Sequence, residues 1–336
     1  MINTAVNEGN ETVMRKIPVF EKKFNPTPIY RSNGCYGKNE IFIKRDDLLP
    51  FSFGGNKVRK AQKFYKEILQ QQPDVLVTYG SSSSNHCRII ANLATALGIS
   101  CQIISPEENN HETANSKIVR ALGAKVKYCP VTRVKETIDE TMDELSKEGK
   151  PYFIMGGGHG NPGTEGYLDA YEEILEYEKQ TGIKFDYIFH ASGTGATQAG
   201  LVVGQLLHER DEQKIVGISI ARPAESGGKV VLNSVLEYLE AMAQRGNLTE
   251  EKKNILSAEA EEKLCFTDSY RLDGYGCYNE SVEETIKEVE CLEGIAMDTT
   301  YVGKAFWGMK EYLKEEKIEG KKVLFIHTGG TPLYFK

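Results

Sequence analysis

The sequence has little that points to membranes or nucleic acids. Its 336 residues contain no apolar run long enough to cross a bilayer and no cluster of basic residues. The formal net charge of −7 argues further against nucleic acid or an anionic membrane as the main partner. Because the first 16 residues are polar and lack the apolar core of a signal peptide, we expect a cytoplasmic protein.

The cysteines also lack an organised pattern. There are seven of them, they are widely scattered, and no two form a C-x-x-C pair. This distribution argues against a disulfide framework or a zinc site and fits a reducing compartment. We therefore expect no bound metal.

Short apolar segments alternate with helical patterns along most of the chain. Strands are predicted at residues 41–44, 75–79, 101–104, 125–128, 152–155, 186–190, 215–220 and 322–326. Helices are predicted at residues 58–69, 86–97, 116–122, 135–147, 165–180 and 198–208, with a charged helical stretch at about 237–262. The alternation predicts an α/β protein with parallel sheets covered by helices on both faces, and the length favours two domains.

One lysine follows a Gly-Gly loop at the start of a predicted helix. Gly54 and Gly55 allow a sharp turn and close approach by another group, and Lys57 would lie in the first helical turn. The helix dipole disfavours a cation there, which suits an amine that acts as a nucleophile or base. Lys60, three residues on, shares this face. A lysine without such context is normally a solvated surface residue.

A second glycine-rich turn joins a strand to a helix at residues 192–197. Its glycines expose backbone N–H groups, its hydroxyls add donors, and the helix N-terminus favours an anion, so it suits a phosphate. The dinucleotide fingerprint fails because Gln198 stands where the third glycine belongs, and no P-loop motif occurs. A plain strand-to-helix turn remains the alternative.

A serine-rich turn has the same placement at residues 81–86. Its residues either cap the following helix or form a site for a carboxylate or a ring oxygen. His86, His159, His190 and His327 lie near predicted strand ends, where a histidine alone is more often a packing residue. Tyr275 and Tyr301 lie in glycine-containing segments and form either a proton relay or part of the core.

Polar and small residues thus follow several predicted strands. Ligands of open parallel sheets bind beyond the carboxyl ends of the strands. The turns at 81–85, 156–163, 192–197 and 328–331, together with the lysine loop, therefore predict one shared pocket.

Taken in order, these motifs resemble the D-cysteine desulfhydrase and 1-aminocyclopropane-1-carboxylate (ACC) deaminase family, pyridoxal-phosphate enzymes of the tryptophan-synthase-β-like fold. The resemblance extends over nearly the whole chain from about residue 20. It is carried by residues 44–48, 54–60, 84–86, 163–167, 194–200, 274–276, 301, 303–305 and 327–330.

The resemblance implies two doubly wound parallel-sheet domains of fold type II with pyridoxal 5'-phosphate between them. Residues 1–57 and 166–336 would form the large cofactor-binding domain and residues 58–165 the small one. The family also implies a homodimer acting on a small-molecule amino acid.

The resemblance also implies roles for individual residues. Lys57 would form the internal aldimine and afterwards shuttle the Cα proton. The implied catalytic residues are Lys57, Ser84, Tyr275 and Tyr301. The implied cofactor-binding residues are Asn56, Lys57, Lys60, Asn85, Gly193, Thr194, Gly195, Ala196, Thr197 and Thr328. The implied substrate-binding residues are Ser84, Asn85, His86, His159, Tyr275 and Tyr301.

Two positions favour the desulfhydrase pattern within this family. Thr328 stands where ACC deaminases have leucine, and His86 where they usually have glutamine. A neutral hydroxyl beside the pyridine nitrogen does not stabilise its protonated form, which favours prompt loss of a β-substituent over transamination. We therefore expect a carbon–sulfur lyase that converts D-cysteine to pyruvate, hydrogen sulfide and ammonia.

Other positions depart from the family and keep alternatives open. Val302, Ser83 and the turn containing His159 match neither subgroup, and we expect them to line the substrate side. The alternatives are ACC deamination, a lyase or β-replacement reaction on another β-substituted amino acid, and a binding protein for the cofactor or an amino acid without turnover.

Overall fold

The computed structural model describes residues 14–108 and 110–335, which divide into two compact units. The smaller unit contains residues 14–24 and 61–158, and the larger contains residues 25–60 and 159–335. One boundary falls inside the helix that carries Lys57. The predicted domain boundaries, at 57/58 and 165/166, remain a prediction. Among the described residues, no helix combines the length and the apolar character that crossing a membrane requires.

Ten strands and ten α-helices make up the regular structure of the described residues. The strands are β1 (Ile29–Arg31), β2 (Glu40–Arg45), β3 (Val75–Tyr79), β4 (Ser100–Pro106), β5 (Lys125–Cys129), β6 (Pro151–Ile154), β7 (Tyr187–Ser192), β8 (Lys214–Ser219), β9 (Cys265–Thr267) and β10 (Lys322–His327). The helices are α1 (Asn56–Gln71), α2 (Asn85–Leu97), α3 (Ala114–Ala121), α4 (Val134–Ser146), α5 (Asn161–Thr181), α6 (Ala196–Leu207), α7 (Ala224–Gln244), α8 (Glu250–Lys263), α9 (Glu280–Glu293) and α10 (Val302–Glu315).

The larger unit is built on a six-stranded sheet with the order β1-β2-β10-β7-β8-β9. All neighbouring strands are parallel except β1, which pairs with β2 in the antiparallel sense. Side chains alternate between two apolar clusters: Phe42 and Leu324 lie in one, and Ile41, Ile43 and Phe325 lie in the other. Because both faces are buried, the strands read as continuous apolar runs.

The smaller unit has a four-stranded parallel sheet with the order β5-β4-β3-β6. Strand β3 is central, and its register places Val77 beside Gln102 on one neighbour and Phe153 on the other. Helix α2 follows β3 directly and ends at Gly98, whose φ of +80° allows a left-handed cap.

The predicted parallel α/β architecture is confirmed, and every predicted strand is present within a few residues. The prediction missed β1 and β9, each of which has only three residues, and it also missed the helices α9 and α10. The charged stretch at 237–262 is not one helix, because α7 ends at Gln244 and α8 begins at Glu250, with Gly246 between them at a φ of +73°.

Candidate functional site

The loop that leads into Lys57, at residues 53–57, packs against the residue that follows β10. Gly54 and Gly55 have φ values of +64° and +99°. A Cβ on Gly55 would lie 2.8 Å from the carbonyl oxygen of Thr328, closer than real Cβ contacts allow. The backbone N–H of Asn56 donates to that same carbonyl at 2.9 Å. The two glycines are therefore needed for α1 to begin where it does.

A buried network of charges anchors the first turn of α1. Arg59 donates to Asp46 through Nε at 2.8 Å and through Nη2 at 2.7 Å, and to Glu173 through Nη1 at 2.7 Å. Lys44 donates to Glu173 at 2.6 Å, and Tyr167 donates to Asp46 at 2.8 Å. Two basic and two acidic side chains thus pair with one another in a site from which water is excluded, and burial lowers the pKa of Lys44.

Two lysines at the start of α1 have lowered basicity. Burial lowers the pKa of Lys57 to about 8, opposed by a hydrogen bond with Lys60. Burial and the neighbouring charge of Lys57 hold the pKa of Lys60 well below its ordinary value. Lys57 lies in the first turn of α1, as predicted. A substantial fraction of its amine is therefore neutral near physiological pH and able to act as a nucleophile.

The glycine-rich turn after β7 lies beside this helix. Asn56 donates through Nδ2 to Thr197 Oγ1 at 3.1 Å. Gly195, at the N-cap of α6, has a φ of +96°. The hydroxyl of Thr194 is buried with no hydrogen-bond partner among the described residues. A buried hydroxyl is rarely left unsatisfied in a native structure, so this turn is shaped for an oxygen-rich ligand.

His159 lies against the same turn. Its Nδ1 is 2.8 Å from the carbonyl oxygen of Thr194, which identifies Nδ1 as the protonated nitrogen. Burial lowers the pKa of His159, although the hydrogen bond with the carbonyl of Thr194 opposes this shift. The histidine is thus a neutral donor that fixes the backbone of the glycine-rich turn.

The two predicted tyrosines meet. The hydroxyl oxygens of Tyr275 and Tyr301 are 2.6 Å apart, and their rings pack edge to face. Asp298 holds the second tyrosine by accepting from the backbone N–H of Tyr301 at 2.6 Å, and burial raises the pKa of Asp298 to about 6. Lys304 holds the first by donating to the carbonyl of Gly274 at 2.8 Å. The pair is therefore positioned by buried groups on both sides.

Asp298 and Lys304 received no role from the sequence. A usable signal existed for Asp298, because an aspartate just before a helix is a common capping residue. It accepts from the N–H groups of Thr300, Tyr301 and Val302 as α10 begins. Lys304 lies in the motif at residues 303–305, but nothing in that motif indicates its partners, which lie in distant loops.

The remaining predicted residues lie in the smaller unit, at the start of α2. Ser84 is the N-cap of α2, and its hydroxyl accepts from the N–H of Cys87 at 3.2 Å. Asn85 and His86 are the first two residues of the helix, so their N–H groups have no acceptor within it. Ser81 and Ser82, which precede the cap, line a cavity of about 240 Å³. The turn is thus a helix cap, and two of its serines face this cavity.

One histidine side chain is held by packing, and one prediction about a side chain needs correction. Thr78 donates its hydroxyl proton to the carbonyl of Ile154 at 2.7 Å and therefore accepts from His86 Nε2 at 2.9 Å. The imidazole of His86 is thus held inside the smaller unit through Nε2, and the role of its backbone N–H stays a prediction. Val302 was expected on the substrate side but is fully buried in the apolar cluster that contains Ile43. Its apolar side chain fills the core beneath α10.

A family model described as pyridoxal-phosphate dependent enzyme matches residues 21–329. The chain belongs to this family. The cofactor of the enzyme is pyridoxal 5'-phosphate, as predicted.

Solved structures support the same family and fold. One of them is the crystal structure of an ACC deaminase homologue, whose sequence is 31% identical to this chain. The match covers 91% of this chain and 89% of that one, with a TM-score of 0.77. A hydrogen sulfide-producing enzyme from Fusobacterium nucleatum is 18% identical, with a TM-score of 0.63, over 95% of this chain and 99% of that one. A threonine deaminase is 17% identical, with a TM-score of 0.63, over 90% of this chain and 92% of that one. The last two share the fold.

The residues of the larger unit fit this cofactor. Lys57 supplies a partly neutral amine for an aldehyde. The glycine-rich turn supplies an unsatisfied hydroxyl on Thr194, and Lys60 supplies a buried amine for a phosphate. The negative charge of a phosphate would stabilise the protonated form of Lys60 and so oppose the shift that burial causes in its pKa. The pyridoxal-phosphate enzyme thus has groups for both ends of its cofactor.

Proposed function

We propose that this pyridoxal-phosphate enzyme is a β-eliminating lyase acting on a small amino acid, with D-cysteine as the first candidate. One molecule of D-cysteine and one of water would give pyruvate, hydrogen sulfide and ammonia. The Cα–H and Cβ–S bonds break, sulfur leaves as hydrosulfide, and water replaces nitrogen at Cα. The observation that carries the proposal is the lysine loop, which places Lys57, a partly buried amine with a lowered pKa, in the first turn of α1.

Lys57 has two tasks in this proposal. When bound, the cofactor supplies an aldehyde for amino groups and a ring that withdraws electrons from Cα. The neutral amine of Lys57 would hold the cofactor by condensing with its aldehyde, with loss of water, and once released it would accept the proton from Cα. Both tasks need the unprotonated amine, which its lowered pKa provides near neutral pH.

We assign the other residues the roles that the family resemblance implies for them. Asn56, Lys60 and His159 support the cofactor side, and the phosphate falls to the turn residues Gly193, Thr194, Gly195, Ala196 and Thr197. Ser84 and the N–H groups of Asn85 and His86 take the substrate carboxylate, while the side chain of Asn85 donates to the ring hydroxyl. Tyr275 and Tyr301, with their oxygens 2.6 Å apart, pass a proton to the leaving sulfur.

Thr328 supports elimination rather than transamination. Its side chain is buried at the end of β10, next to the lysine loop. A hydroxyl carries no negative charge, so it does not stabilise a protonated pyridine nitrogen as a carboxylate would. The weaker electron withdrawal that follows favours early departure of a β-substituent.

ACC deamination is a second candidate, because the solved structure at 31% identity is described as an ACC deaminase homologue. The two reactions give different keto acids. Elimination from cysteine gives pyruvate, whereas ring opening of ACC gives 2-oxobutyrate.

A substrate panel tests the proposal. The purified enzyme, loaded with pyridoxal phosphate, is incubated with D-cysteine, L-cysteine, β-chloro-D-alanine and ACC, and the keto acids are identified by chromatography. We expect pyruvate from D-cysteine and none from the Lys57→Ala variant. Formation of 2-oxobutyrate from ACC, with no pyruvate from cysteine, favours the second candidate. Cofactor binding without any product would indicate a binding protein and refute both.

A further inference from the structure

A buried asparagine outside all the predicted motifs contacts Asn85. Asn115 lies in the first turn of α3 and is completely buried. Its Nδ2 donates to the Oδ1 of Asn85 at 2.9 Å and to the backbone carbonyl of Ser83 at 2.9 Å. Arg88, one turn along α2, donates to the same Oδ1 of Asn85 at 3.3 Å. All four residues belong to the smaller unit.

The partners of these two amides allow only one orientation for each. A guanidinium can only donate, so the atom of Asn85 that faces Arg88 is an oxygen. A backbone carbonyl can only accept, so the atom of Asn115 that faces Ser83 is a nitrogen. Reversing either amide would place two acceptors or two donors against each other.

The orientation has a consequence for Asn85. Its Oδ1 accepts two hydrogen bonds from within the smaller unit, and its Nδ2 has no acceptor among the described residues. Asn85 is therefore presented to a ligand as a donor and not as an acceptor. The proposed function requires a donor at this position, because the ring oxygen of the cofactor carries negative charge.

We propose that Asn115 is the positioning residue that keeps the Nδ2 of Asn85 turned toward the cofactor ring oxygen. This inference rests on the proposed function, which gives Asn85 that contact. Asn115 is the stronger of the two partners, because its 2.9 Å bond is closer than the 3.3 Å bond from Arg88. Its second bond to Ser83 ties the amide to the backbone that leads into α2.

The test is a pH titration of the visible absorption band of the cofactor-loaded enzyme. A donor at the ring oxygen stabilises its negative charge and so lowers the pH at which the bound cofactor loses its shared proton. In Asn115→Ala, the titration midpoint should rise by about one pH unit, and the Kd for pyridoxal phosphate should increase about tenfold. Asn115→Asp, which keeps the shape but lacks the donor, should give a shift in the same direction if the alanine variant does not fold.

Ser116→Ala is the matched control. Ser116 is the next residue, and its hydroxyl completes the capping box of α3 with Thr113 without contacting Asn85. This variant should lose some stability and keep the wild-type midpoint. An equal shift in Ser116→Ala would mean that Asn115 only stabilises α3, which would overturn the inference.

A double-mutant cycle with Asn85 separates the remaining outcomes. If Asn115 acts through Asn85, then Asn115→Ala adds no shift in an Asn85→Ala background. If the two shifts in midpoint are fully additive, the inference is overturned. The same holds if the midpoint shifts in Asn85→Ala but not in Asn115→Ala. In both cases the proposed function stands. A midpoint unchanged in Asn85→Ala overturns it too. Absence of any visible band in the loaded wild-type protein refutes the proposed function itself.

Discussion

Substitution of Glu173 by glutamine should strongly destabilise the larger unit. Glu173 accepts from Lys44 at 2.6 Å and from Arg59 at 2.7 and 2.8 Å, with all three side chains almost fully buried. With Asp46 the network is neutral, so Glu173→Gln leaves one uncompensated positive charge away from water. Breaking such a buried pair costs about 3–5 kcal/mol. That is a large part of the ~5–15 kcal/mol by which domains are stable.

The only tryptophan provides a local probe for this measurement. Trp307 lies in α10 of the larger unit and packs against Tyr270 with ring centroids 5.9 Å apart. Urea unfolding of the apoprotein is followed by tryptophan fluorescence. With an m-value of about 3 kcal/mol per molar urea, expected for a unit of this size, the midpoint should fall by ~1–2 M.

Glu172→Gln is the matched control for Glu173→Gln. Glu172 is the adjacent residue of α5, it is about 42% exposed, and it contacts His208 at 2.7 Å. Exposed pairs contribute about 0–1 kcal/mol, so its midpoint should stay within ~0.3 M of the wild type. Equal midpoints for Glu173→Gln and the wild type would refute the role given to the buried network.

Three further predictions concern the cofactor and the chemistry. Because burial disfavours the ammonium form of Lys57, the rate of cofactor attachment should rise with pH and reach half of its maximum near pH 8. At pH 7 an ordinary lysine, with a pKa of 10.5, would react ~300-fold more slowly. Gly55→Ala should weaken cofactor binding at least tenfold in an absorbance titration, whereas Gly37→Ala, with a φ of +66° but open space around it, should not. Tyr275→Phe, Tyr301→Phe and the double variant should each lower kcat by the same ~100-fold, since two phenols in one relay act as a unit; additive losses would contradict the relay.

The sequence contained strong local signals for most of the fold. Apolar runs such as Val75–Tyr79 end at glycine or serine turns, and both features are visible within ten residues. The lysine loop and the turn at Thr194 were found for the same reason. The three-residue strands β1 and β9 lack such a run, and their pairing with β2 and β8 depends on the rest of the sheet.

Contacts between distant residues could not be predicted from local patterns. Arg59 and Glu173 are 114 positions apart, and Asn115 and Asn85 are 30 apart. Neither pair has a distinctive spacing, because the packing of whole helices brings its members together. The buried position of Val302 was missed likewise, since the sequence shows that it is apolar but not which way α10 faces.

The central claim is that Lys57 carries the cofactor, and trapping by reduction tests it most directly. The protein is loaded with pyridoxal phosphate, reduced with borohydride, digested and analysed by mass spectrometry, with Lys57→Ala treated in parallel. We predict a phosphopyridoxyl group on Lys57, at close to one per chain, and none at that peptide in the variant. Modification of other lysines with Lys57 unmodified would contradict the account.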